Sequence, residues 1–285
     1  MPSFWRLTPP AEDDYRAVFV NGEVRATHAL PTVGCRTCAR LRRSRRVLPI
    51  DCPDAWRRRS EVVLPPRREH RTTNAQFAEL SARLSPALDS LPADMGPLQP
   101  GDSFQPLLLR LASTPEVDVL WPGVGHILVS QRVRVALEAA GVTGAMFARI
   151  AYDRVGTRSA SHELRPRGEP EDVLKRIPER NDTSGLPTYW HVTVTQESGL
   201  PPGVDPSSVC PECERALVPV AESARRILFV PSMWRGADVC WLATTLHVVV
   251  TDRVRATLER IGATNIHFQS AEDEVRPRHR SGVSK

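Results

Sequence analysis

Lysine is almost missing from this 285-residue chain: Lys175 and Lys285 are the only two. Arginine is therefore the default cation, and a high arginine count here is not by itself a binding signal. No stretch reaches the ~18 consecutive apolar residues that a membrane-spanning helix needs, so no membrane span is expected. The opening Met1-Pro-Ser-Phe-Trp-Arg-Leu-Thr-Pro-Pro lacks a basic start followed by an apolar core, which argues against a signal peptide. There is no glycine-rich dinucleotide turn, Walker loop, His-Glu-x-x-His run or Ser/His/Asp spacing. The acidic runs Glu12-Asp-Asp14 and Glu272-Asp-Glu274 read as solvated surface charge. Nothing in this inventory argues for an enzyme, and a non-catalytic protein is expected.

What remains is an ordinary globular composition, 41% hydrophobic and 25% charged, with enough length for a real core. The 26 prolines favour short elements joined by long ordered loops over a helical bundle. Six cysteines are too few for a disulfide scaffold in a chain this long, and four of them stand at metal-ligand spacing, which suits a reducing cytoplasm. Cys52 and Cys240 read as small core or surface residues. The expected organisation is one α+β domain over residues 1–275, then a disordered basic tail, 276–285, carrying Arg276, Arg278, His279, Arg280 and Lys285.

The strongest chemical signal is a pair of Cys-x-x-Cys runs, Cys35-Arg-Thr-Cys38 and Cys210-Pro-Glu-Cys213. Two thiolates two residues apart can grip one tetrahedral ion from a tight turn, and two such turns complete a closed structural zinc site. Compact zinc ribbons keep only about 15–20 residues between the pairs, far fewer than separate Cys38 from Cys210 here. Two redox dithiols, two separate metal sites and simple buried cysteines are therefore open alternatives. Pro31, Gly34 and Pro211 place both runs in turns, whereas a thioredoxin-type dithiol follows a strand and opens a helix. The expectation is one structural zinc held by Cys35, Cys38, Cys210 and Cys213. It would tie a first region, 1–72, to a second, 205–215. Closing so long a loop would constrain the unfolded chain by roughly 5 kcal/mol on the loop-entropy relation.

Elsewhere the chain reads as short elements. Phe4–Leu7 is expected to be a strand, and Asn21-Gly22 the turn of a hairpin between Ala17–Val20 and Glu23–Ala26. A strand is expected near Val47–Ile50, a helix over Thr73–Leu84 capped by Asn74, and a buried strand over Leu107–Leu111. Tyr189–Thr195 alternates as a half-buried strand, with Trp190, Val192 and Val194 on one side. Arg226–Val230 reads as a further strand.

An internal repeat stands out, over about 116–151 and 236–270. Asp118-Val-Leu-Trp121 recurs as Asp238-Val-Cys-Trp241, and His126-Ile-Leu-Val129 as His247-Val-Val-Val250. Arg132, Val133, Arg134, Leu137, Glu138, Gly141, Thr143 and Phe147 recur as Arg253, Val254, Arg255, Leu258, Glu259, Gly262, Thr264 and Phe268. Each copy reads as strand, helix, strand, with the glycine stopping the helix. Two such units could form pseudo-symmetric halves of one core. His126 and His247 match within the repeat, and a strand-entry histidine is commonly a structural hydrogen-bonder.

Charge supplies a second functional reading. The net charge is +5, and arginines cluster between Arg36 and Arg71 against only Asp51, Asp54, Glu61 and Glu69. A basic stretch beside a zinc turn suits a nucleic-acid-binding zinc protein. Against it, Trp56 is the only aromatic interleaved with those arginines, and no recognition helix follows at finger spacing.

The layout also resembles the myxobacterial double-CxxCG motif proteins, which include the Sit-type immunity proteins. The resemblance covers nearly the whole chain. It rests on Phe4-Trp-Arg-Leu7, on His28-Ala-Leu-Pro-Thr-Val-Gly34 leading into Cys35, and on Pro100-Gly-Asp-Ser-Phe104 with Pro106-Leu107. Leu128-Val-Ser, Leu137 to Gly141, Cys210 to Cys213 and Thr245 to Phe268 extend it. Ala39 and Glu214 stand where that family has glycine after each pair. The resemblance implies an immunity protein that binds and neutralises a cognate toxin delivered by cell contact.

Overall fold

The computed structural model describes residues 2–10, 22–38, 41–42, 44–54, 56–57, 72–84, 86, 91, 95–111, 113–123, 125–155, 185–199, 210–211, 229–242 and 247–271. They form a mixed α+β structure. The first arm of the expected hairpin, most of Arg226–Val230 and the basic tail fall outside these residues.

A four-stranded sheet runs in the order β12 (Val239–Trp241), β13 (Val248–Thr251), β1 (Phe4–Thr8), β14 (His267–Ser270), all antiparallel. The N-terminal strand thus lies in the middle of a sheet made otherwise from the C-terminal quarter of the chain. A six-stranded sheet has the order β2 (Glu23–Ala26), β7 (Leu107–Leu111), β10 (Ala145–Val155), β11 (Tyr189–Val194), β9 (Leu128–Ser130), β8 (Val119–Leu120). Here β2 pairs antiparallel with β7, and β7 runs parallel to the far half of β10. Two small ribbons complete the described strands: β3 (Val33–Gly34) with β4 (Leu41–Arg42), and β5 (Val47–Asp51) with β6 (Ser103–Gln105).

Helix α1 (Asn74–Leu84) buries Phe77, Leu80 and Leu84, as its spacing predicts. Its cap differs from expectation. Thr73 Oγ1 accepts from Gln76 N at 3.2 Å, while Gln76 Oε1 accepts from Thr73 N at 2.9 Å, a reciprocal capping box one residue before Asn74. The helix packs on a cluster with Leu30, Val33, Leu48, Trp56, Met95 and Phe104. Beside it, Arg46 and Asp102 form a buried ion pair at 2.6 Å, and Arg46 also donates to the carbonyls of Met95 and Pro97. With its hydrogen bonds satisfied inside the protein, this pair ties the proline-containing loop 95–102 to β5.

The two stretches matched in the sequence each form strand, strand, helix, strand. Helices α2 (Gln131–Ala139) and α3 (Asp252–Arg260) lie on one shared core that includes Val119, Val129, Val133, Leu137, Val192, Val239, Val250, Val254 and Leu258. Both helices end in the same way. Val142 N donates to Leu137 O and Gly141 N to Glu138 O; Ala263 N donates to Leu258 O and Gly262 N to Glu259 O. This double bond needs a left-handed residue after the helix, and Gly141 (φ +64°) and Gly262 (φ +60°) supply it.

The stretches also bind each other reciprocally. Asp118 accepts from Thr264 N and Oγ1 at 3.0 and 3.1 Å; Asp238 accepts from Thr143 N and Oγ1 at 3.1 and 3.0 Å. Arg132 pairs with Asp118 and donates to Ile261 O; Arg253 pairs with Asp238 and donates to Gly141 O. Gly144 (φ +82°) lies against the second stretch, and a Cβ there would meet Val239 O at 2.2 Å.

Sequence alternation predicts one covered face on β11, but both are covered. Trp190 and Val192 face the helices, while Thr193 Oγ1 donates to Val47 O and accepts from Val47 N on β5.

Burial opposes ionisation of Asp118, but hydrogen bonds from Arg132, Thr264 and Ser130 outweigh it and lower its pKa from the usual 3.8 to about 2. The folded state therefore gains on the order of 2 kcal/mol from this carboxylate above pH 4, and loses it as pH falls towards 2. Asp118→Asn is expected to lower the urea unfolding free energy by about 2 kcal/mol at pH 7 and by far less near pH 2.

Candidate metal centre

The first Cys-x-x-Cys follows directly from β3. Val33 is fully buried, and the β3–β4 ribbon sets Val33 opposite Arg42 and Gly34 opposite Leu41, so Cys35–Cys38 opens the connection between the two strands. The ribbon is fixed from behind: Leu30 N donates to Asp102 O, Gly101 N donates to Pro31 O, and Val33 bridges to Thr72. The Arg46–Asp102 pair thus holds the loop on which this turn rests.

Cys210 reaches the same point from far along the chain. The sulfurs of Cys35, Cys38 and Cys210 lie within 4.8 Å of one another, and Cys35 Sγ is 3.5 Å from Cys210 Sγ. That separation excludes a disulfide, whose sulfurs lie ~2.05 Å apart. It approaches the ~3.8 Å edge of a tetrahedron with ~2.3 Å zinc–sulfur bonds. Cys35 and Cys210 are buried and Cys38 is partly exposed. Three soft donors converging on one point form a set that could hold a metal ion, and the chemistry of that set fits zinc. Cys213, the fourth expected ligand, lies outside the described residues. Cys52 and Cys240 are buried away from this cluster, where burial pushes their thiols up to about 11 and about 12.

Of the matching histidines, His126 contacts His191. His126 Nδ1 lies 3.0 Å from His191 Nε2, and His191 Nδ1 lies 3.2 Å from Thr193 Oγ1. Because the Thr193 hydroxyl proton goes to Val47 O, His191 donates through Nδ1. Burial keeps the ring neutral, so its Nε2 accepts from His126 Nδ1. Burial, then the neighbouring His126, drives its pKa well down, while His247 is lowered by burial and then by Arg6. The sequence signal for His191 was its place on an alternating strand; the Thr193–Val47 link behind it depends on a distant segment.

The basic stretch is partly consumed by the fold. Arg46 is in its buried pair, Arg45 lies over the Trp241 ring at 5.4 Å, and Arg57 is 3.6 Å from Asp54.

Two expectations follow. A metal ion held at this cluster should be lost in Cys210→Ser and kept in Cys240→Ser, read by metal analysis of the purified chain. Stability should also fall as pH drops below 6.5, because the unfolded chain then takes up protons that His191 and His247 refuse in the folded state. Urea unfolding at pH 7 and pH 5 measures this, and His191→Gln should lose less between those values than the wild type. Neither a scan against protein-family models nor a search of curated proteins finds a match to this chain.

Proposed function

We propose that this chain is a cytoplasmic immunity protein that binds a cognate contact-delivered toxin and neutralises it without catalysis. The observation that carries the reading is the meeting of Cys35 and Cys38 with Cys210, in a chain whose order of motifs resembles the double-CxxCG proteins. One structural zinc would be held by these three residues together with Cys213. Bound there, it fixes the turn after β3 to the segment around Cys210. The chain's own residues do the rest: the buried Arg46–Asp102 pair and the reciprocal aspartate contacts make a rigid scaffold on which a partner-binding surface is preorganised. The net charge of +5 suits an acidic face on the toxin, steering encounter.

The matched stretches are, on this reading, two copies of one unit. Their identical helix ends and exchanged Asp–Thr bonds support it. The alternative, a nucleic-acid-binding zinc protein, is weakened by the burial of Arg46 in its pair with Asp102.

Co-expression with the toxin encoded beside its gene tests the proposal. Growth should be restored only when this chain is present, and the two proteins should co-purify. Equal killing with and without it, and no complex, would end the assignment. A salt-sensitive affinity for DNA or RNA would favour the alternative.

A further inference from the structure

We infer that the metal centre is a joint between two copies of one unit, and that each copy lends its first strand to the other's sheet. This rests on the repeat reading above and extends it to segments the sequence match did not contain.

The first extension is a tryptophan strand. On β11, Trp190 stands opposite Val129 of β9 and Arg149 of β10. On β1, Trp5 stands opposite Val250 of β13 and Ser270 of β14. Val129 and Val250, and Arg149 and Ser270, are related by the same offset that aligns the helices, so β1 and β11 occupy equivalent places. Their surroundings agree. Trp190 Nε1 donates to Gln131 Oε1 at 2.6 Å, with the Arg134 guanidinium 3.8 Å from its ring. Trp5 Nε1 donates to Asp252 Oδ1 at 2.7 Å, with the Arg255 guanidinium 3.8 Å from its ring. Gln131 and Asp252, and Arg134 and Arg255, are themselves matched positions. A two-fold relation reproduces such contacts pairwise; chance would not place both the indole acceptor and the cation alike.

In chain order each copy then reads tryptophan strand, Cys-x-x-Cys, Asp-Val-x-Trp strand, second strand, helix, last strand. The strands do not stay with their own copy. β1 precedes β8, β9 and β10 but inserts between β13 and β14, while β11 precedes β12, β13 and β14 but inserts between β9 and β10. Cys35 and Cys38 lie between β1 and β8, and Cys210 lies between β11 and β12, the same interval of the unit. The sulfur cluster therefore draws on both copies at equivalent points, as a metal shared across a dimer interface would. The ion's task is to fasten one half to the other.

The test uses the full chain carrying a protease site inserted between residues 156 and 184. The folded protein is loaded with zinc, cut, and passed over a sizing column with metal analysis. One species of intact mass with one zinc per fragment pair is expected. After separation in denaturant and return to buffer with zinc, neither fragment alone should regain the ion, and mixing them should restore it. Zinc retained by a single fragment, or fragments that part in plain buffer, would overturn the joint. The repeat has its own check: Asp118→Asn and Asp238→Asn, each introduced before the cut, should both weaken the association of the cut halves. If only one does, the two-copy reading fails, whereas zinc on one fragment would leave the copies standing and remove only the shared centre.

Discussion

Two aspartates hold this architecture together. Asp118 and Asp238 each close the start of one strand–helix unit and accept a threonine hydroxyl and amide from the other unit. The arginine at the second position of each helix neutralises its own aspartate and also reaches the carbonyls that end the opposite helix. Orphan acceptors at a helix C-terminus attract cations, so each arginine satisfies a carboxylate and a helix dipole together. The helices are thereby set antiparallel over a single apolar core, and both sheets must follow.

The cysteine cluster depends on that arrangement. Its first two sulfurs follow a short ribbon whose Val33 packs with Leu30, and Arg46, Asp102 and the loop they pin hold that ribbon from behind. The Val47–Thr193 bonds then link that region through β11 to the core beneath the two helices. The Cys35 side of the cluster is thus fixed from several directions, which is what a small thiolate site requires if it is to be preorganised.

Much of this was legible in the residues because the physics was local. Alternation, heptad-like spacing and the glycines at 141 and 262 announce strands, helices and stops within a few positions. The cap falls one residue before Asn74 because Thr73 and Gln76 bond each other's backbone, a reciprocity that the apolar spacing of Phe77, Leu80 and Leu84 does not report. The Arg46–Asp102 pair, the second covered face of β11 and the His126–His191 contact were illegible for another reason: each joins segments remote in sequence, and no local pattern reports which of many polar residues will be brought together. The spacing of the cysteines suggested a shared ion, while only the fold could bring Cys210 to the first turn.

The central position of β1 bears on how the chain is made. Phe4–Thr8 leaves the ribosome long before the two strands that flank it, which end at Thr251 and Ser270. During synthesis β1 therefore waits, with both edges unpaired, until the chain through Ser270 has emerged. A chain cut short of those strands carries an unpaired edge open to association with other chains.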